Sequence, residues 1–231
     1  MGNNALPSAR RSSTVSTRTD KKFHPHPRPI VAVDIALLSP NLDDKRLEVA
    51  EMWREDTQSW ALPGAFLREG ETLADAVRRC LHDKLGVHGI RLRQLEVFDD
   101  PYRDERDWVL SVAHVAVVRP EQLRTLGTGS ATRTRMAPAD RPGTLAWDHA
   151  DIVRLAKNNL RRRYQSSADP EHLLRTEFTM RELRRIHEAV EGDDFKQDAF
   201  RRAMAEHVVS TGRFEGTGSR GRPAELFGRA R

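Results

Sequence analysis

Residues 60–87 constrain this chain more than any other stretch. Trp60-Ala61-Leu62-Pro63-Gly64 leads into a polar loop. From Thr72 to Leu85, apolar residues recur at 73, 76, 77, 80, 81 and 85, the spacing of one helix face. Gly86 follows, suited to a left-handed C-cap. The spacing therefore predicts a helix over 72–85. Strand patterns flank it. Ile30–Leu38 reads as a buried strand, Asn41–Asp44 as a turn, and Leu47–Trp53 alternates as a half-buried strand. Arg91–Phe98 and Trp108–Val118 read as two more. Gly127–Gly143 is expected to be a surface loop, and Trp53 and Trp108 are expected to lie mainly in the core.

A second pattern begins at Asp148. A helix capped by Asp148 is predicted to reach Tyr164 and to end in Arg161-Arg162-Arg163, which suits its dipole. Whether these arginines touch DNA or only serve the helix end stays open. Thr179-Met180-Arg181-Glu182 is a capping box, with Phe178 and Leu183 placed as its hydrophobic staple. Met180, Leu183, Ile186, His187 and Val190 give the buried stripe, and Gly192 stops the helix. Asp194 is expected to cap a further helix with Gln197 at N3 and with Phe195, Ala199, Phe200, Ala203 and Met204 facing inward. Two short helices so joined make a helix-turn-helix. Val208–Ser210, Gly216–Arg222 and Ala224–Phe227 read as a β-hairpin wing.

Composition sets the outer bounds. The 231 residues carry a net charge of +5. Residues 1–29 hold six basic residues and one acidic, so the remainder is balanced and its net charge gives no argument for nucleic acid. Residues 1–27 are expected to be a disordered basic arm. One cysteine, Cys80, excludes an internal disulfide and a Cys-rich zinc site. No apolar run approaches the roughly 20 residues of a membrane span, and no apolar secretory stretch opens the chain. A cytoplasmic protein without membrane contact is the expectation.

The segment from Gly64 to Val87 resembles the Nudix box, G-x5-E-x7-R-E-U-x-E-E-x-G-U with U apolar. With Ala65 at the first Gly, Glu71 is the first Glu, Arg79 the Arg, Leu81 the U, Gly86 the last Gly and Val87 the last U. The lead-in resembles W-x-L-P-G-G. Cys80, Asp83 and Lys84 stand where the resemblance implies metal-binding glutamates. Mg²⁺ wants anionic oxygen, and a thiol and an ammonium supply none. No catalytic residue, metal or cofactor is therefore expected. Cys80 reads as an ordinary helix residue, and Glu71–Arg79 as an ion pair holding loop to helix. Lys84 stands where a metal would face a ligand diphosphate. Asp100–Asp107 resembles the D-P-x-R-D-P-R segment of ADP-ribose pyrophosphatase-like Nudix proteins, with Glu105 for the second Pro. Arg54, Lys84, Arg103 and Arg106 are the candidate effector-binding residues; a solvated charged loop is the alternative for Arg103 and Arg106.

Phe178–Leu183, His187–Gly192, Phe200–Arg202 and Gly221–Phe227 resemble the winged-helix module of the Nudix-related transcriptional regulators, and Leu145–Ile152 resembles that family's L-A-F-D-H-x-x-I junction. The resemblance implies an α+β chain: a Nudix-type α/β/α sandwich over 28–147, then a linker helix and winged helix over 148–231. It implies a dimeric repressor of NAD-metabolism genes that binds operator double-stranded DNA and senses ADP-ribose or a related nucleotide. Lys196, Gln197, Arg201 and Arg202 are the candidate reading residues on the second helix, with Arg220 and Arg222 on the wing. An active nucleoside-diphosphate hydrolase is one alternative; an adaptor that uses a winged helix to bind RNA or protein is another.

Overall fold

A computed structural model describes residues 27–123, 133–215 and 223–230. Residues 1–26 of the arm therefore lie outside the described residues, as do residues 216–222 of the wing, Arg220 and Arg222 among them. Strands β1 (Ile30–Asn41), β2 (Arg46–Arg54), β3 (Ser59–Ala61), β4 (Gly64–Phe66), β5 (Arg93–Phe98), β6 (Val109–Val117) and β7 (Thr134–Pro138) form one mixed sheet. Its main path runs β3-β2-β1-β6-β5, with β4 on β1 and β7 on β2. β1 and β6 pair in parallel and the other pairs are antiparallel.

The sheet is covered on both faces. On one side α1 (Leu73–Leu85) packs Ala76, Val77, Cys80, Leu81 and Leu85 against Val33, Ile35 and Leu37. On the other, α2 (His149–Gln165) and α3 (Met180–Glu191) pack Ile152, Val153, Ala156, Ile186 and Val190 against Ala36, Leu38, Leu47 and Val49. β2 is therefore buried on both faces at its centre rather than half-buried. Fully burying one such aliphatic side chain contributes roughly 1.5–3 kcal/mol, so these two layers dominate the fold's stability.

The α1 boundaries follow the local signals. Thr72 Oγ1 accepts from Asp75 N, and Gly86 takes φ 68° with its N–H donating to His82 O. At the β1–β2 turn, Asn41 Oδ1 accepts the N–H groups of Asp43 and Asp44. The sequence pattern assigns no strand to β3 in the Trp60–Gly64 lead-in or to β4 at the start of the loop, and β7 lies within the expected surface loop. Each has only three to five residues, too short for periodicity, and each forms by pairing with β1 or β2. Trp108 is 42% exposed and Trp53 half-buried, so neither is a core residue.

The second sheet, β8-β10-β9, joins β8 (Phe178–Thr179), β10 (Glu225–Arg229) and β9 (Val208–Phe214). Its core is Phe178, Leu183, Phe200, Met204, Val208 and Phe227. The capping box is complete: Thr179 Oγ1 accepts from Glu182 N, and Glu182 Oε2 accepts from Thr179 N. The staple residues Phe178 and Leu183 are both fully buried. The next helix, α4 (Gln197–Met204), departs from expectation. Its N-cap is Lys196, and Gln197 is its first residue. Asp194 is drawn away by Lys45 Nζ of the β1–β2 turn, so its carboxylate caps nothing. Ala199 and Ala203 are exposed; only Phe200 and Met204 of α4 are buried.

The α1 cleft and helix α4

A cleft of about 940 Å³ opens beside α1, between β1, β2, β4 and the loop after β5. Arg54, Lys84, Arg103 and Arg106 all line it. Their states differ. Lys84 Nζ donates to Gly64 O and pairs with no carboxylate among the described residues, so its charge stays available to an anion. Arg54 holds Asp56 through two bonds, at 2.9 and 2.5 Å. That guanidinium holds the Asp56 carboxyl at about 2. Arg106 grips Asp104 at 2.9 and 2.7 Å, reaches Asp56 at 3.2 Å, and stacks 4.4 Å over the Trp147 ring. Arg103 is not a solvated loop residue. Its side chain is 4% exposed and bonds Asp148 at 2.8 and 2.5 Å.

Behind Arg103 lies a buried polar group centred on Asp34 of β1. Its Oδ2 accepts from Ser111 Oγ at 2.6 Å and from Arg103 Nη2 at 3.3 Å. His149 Nδ1 accepts the Leu62 N–H at 2.9 Å, which leaves the ring proton on Nε2, 3.4 Å from the same oxygen. Burial alone would raise the Asp34 carboxyl. His149, Ser111 and Arg103 outweigh it and hold the group well below the usual carboxylate range. Gly64 is required here, because a Cβ at that position would lie 2.1 Å from Asp34 Oδ1.

The loop–helix motif is fastened as its pattern suggested. Arg79 donates to both Glu71 oxygens, at 2.7 and 2.8 Å, and to Phe66 O at 3.0 Å. Glu71 Oε2 also accepts Arg68 N–H. The Arg79 guanidinium, with that amide, brings the Glu71 carboxyl down to about 2. Cys80 is buried in the core, and burial pushes its thiol up to about 11, so it is inert as a nucleophile at neutral pH. Asp83 is exposed and bonded to His82. Among the described residues, no group of three or more His, Cys, Asp or Glu side chains is arranged to hold a metal ion.

Sequence reasoning missed Arg68, Arg133 and Trp147, which also line the cleft. Arg133 lies 5.5 Å from the centres of both Trp53 and Trp60. Trp147 stood in the junction motif, where its aromatic type was a usable signal; Arg133 carried none.

Lys196 at the N-cap of α4, and Gln197, Arg201 and Arg202 on the helix, are all exposed. At about 100° per residue, Arg202 lies roughly opposite the buried Phe200 and Met204, and it pairs with no carboxylate among the described residues. Arg201 is tied to the wing: Nη2 lies 3.5 Å from Glu225, and the guanidinium lies 5.9 Å from the Phe227 ring. Arg161 serves the end of α3 rather than its own helix, donating to Val190 O and Glu191 O. Arg163 pairs with Glu171.

Comparison with known proteins identifies the domain on each side of α2's C-terminal end. Residues 29–156 match the NUDIX domain and residues 170–228 the NrtR DNA-binding winged helix domain. A relative from Acinetobacter baylyi, described as "ADPR responsive transcriptional repressor NtrR", is 28% identical over 87% of this chain and 82% of its own length. An ADP-ribose pyrophosphatase of Methanocaldococcus jannaschii is 28% identical over 61% of this chain and 80% of its own length. The crystal structure of Shewanella oneidensis NrtR complexed with a 27mer DNA aligns with a TM-score of 0.69 at 28% identity, covering 87% of this chain and 93% of that one. The sheet, its loop–helix motif and the C-terminal wing thus have one account: the chain belongs to the Nudix family and carries an NrtR DNA-binding winged helix behind its Nudix domain.

Proposed function

We propose that the protein is a homodimeric repressor that binds operator DNA through α4 and the wing, and whose cleft takes ADP-ribose or a related nucleotide without cleaving it. The carrying observation is Lys84, a cation that pairs with no carboxylate among the described residues, on the wall of a cleft whose linker helix leads directly into a winged helix. The relatives supply the ligand and partner classes, ADP-ribose and DNA. Lys84 would meet the diphosphate as a fixed charge, while the aromatic faces of Trp53, Phe66 and Trp147 suit a base.

Hydrolysis is disfavoured by the donor set. Metal-assisted pyrophosphate cleavage needs carboxylates to hold ions that activate water. Glu71 is consumed by Arg79 and the Arg68 amide, Cys80 is a buried neutral thiol, and Lys84 repels a cation. These residues do not fit a divalent ion. The test is a gel shift on the protein's own promoter region with and without ADP-ribose, run beside an assay for AMP. ADP-ribose should release the DNA and remain intact. AMP appearing at ordinary enzyme rates with Mg²⁺ would establish the hydrolase reading instead.

A further inference from the structure

Helix α2 starts in an unusual way. Asp148 is its N-cap, yet the carboxylate makes no capping bond. Arg103 holds it from the cleft wall through two bonds. The preceding residue, Trp147, has φ 55°, the left-handed region that a side chain other than glycine enters only at a cost. A buried guanidinium clasped by a carboxylate in a basic cleft is an anion site filled by the protein's own anion. Asp34 also touches Arg103, but its Oδ2 is shared with Ser111 and His149, and its contact is the longer one.

We propose that Asp148 is a built-in occupant of the Arg103 anion site, that an anionic group of the nucleotide exchanges with it, and that the freed carboxylate caps α2 and shifts the winged helix. This rests on reading the cleft as a nucleotide site. The route onward is continuous packing. Ile152, Val153 and Leu160 of α2 share one core with Ile186 and Val190 of α3. Near the far end of α2, the Tyr164 ring packs 4.9 Å from His187 of α3, whose ring lies 5.0 Å from Phe200 of α4. Arg161 clamps the last carbonyls of α3. A change at the start of α2 therefore reaches the reading helix through packed side chains and not through a loop.

The experiment measures ADP-ribose binding by calorimetry and promoter-DNA binding by anisotropy, for the native chain, Asp148→Asn and Asp148→Ser. Removing the competing charge should tighten ADP-ribose binding about tenfold. It should also weaken DNA binding in the absence of ligand for both variants, because asparagine and serine each cap a helix well. A merely structural Asp148 would lower the melting temperature and weaken both. A folded Asp148→Asn with unchanged or weaker ADP-ribose affinity overturns the exchange. Hydrogen exchange on the native chain answers independently of either variant: ADP-ribose should protect the amide of Ala150, the N2 position that a capping carboxylate reaches (the Asp151 N–H already bonds Asp148 O at 2.9 Å), and unchanged protection overturns the proposal. If the native chain binds no ADP-ribose, the cleft reading itself fails; if it binds and the variants match it, only the exchange fails.

Discussion

Replacing Arg202 by alanine should cost DNA affinity and almost nothing else. The side chain is exposed, lies opposite the Phe200–Met204 stripe, and makes no ion pair among the described residues. Its removal breaks no side-chain bond among the described residues, and alanine is the better helix former, so stability should hold within about 0.5 kcal/mol. If the guanidinium reads a base edge, the loss is roughly 1–3 kcal/mol, about 5- to 150-fold in Kd, concentrated at one base pair. If it meets phosphate, all sequences weaken alike and the salt slope flattens by about one unit. Arg201→Ala should behave differently. Its tether to Glu225 is an exposed pair worth about 0–1 kcal/mol, and its loss loosens the wing rather than one base contact. Anisotropy titrations between 50 and 200 mM salt (about a thousandfold range for a strongly electrostatic complex), on the promoter fragment and its single-base variants, separate the cases. A folded Arg202→Ala that binds every fragment like the native chain would refute the assignment of α4 as the reading helix.

Other expectations follow from the same geometry. Thr179→Ala removes one half of a complete capping box and should cost about 0.5–2 kcal/mol, a fall of roughly 2–4 °C in Tm per kcal/mol, read by calorimetry. The Glu71 carboxyl falls from 4.5 to about 2 in the folded chain. Its stabilisation is therefore fully present above pH 4.5 and is lost as pH falls toward 2. Urea midpoints between pH 7 and pH 3 should show this slope, and Glu71→Gln should flatten it; an unchanged slope in that variant would count against the pair. Light scattering at micromolar concentration should give a dimer, because two half-sites about one helical turn apart call for a two-fold pair. A monomer with intact DNA binding would contradict that.

The amphipathic spacing of α1, the Thr179 capping box and the glycine stops at Gly86 and Gly192 were legible in the sequence because each repeats or closes within one or two helical turns. An amphipathic spacing and an i to i+3 cap need no distant partner. So was the presence of arginines in the Asp100–Asp107 loop, although not what they would touch. Tertiary structure decided the rest. Asp194 and Asp148 both carry the right residue type for an N-cap, and neither caps its helix. Lys45, 149 residues before Asp194, takes one carboxylate, and Arg103, 45 residues before Asp148, takes the other. The sequence alone determined which segments are helices and where most of them stop. It did not determine which carboxylate meets which cation. A charge-assisted bond to a guanidinium or ammonium brought close by the sheet outweighs a single local capping bond, and that proximity exists only after the chain has folded.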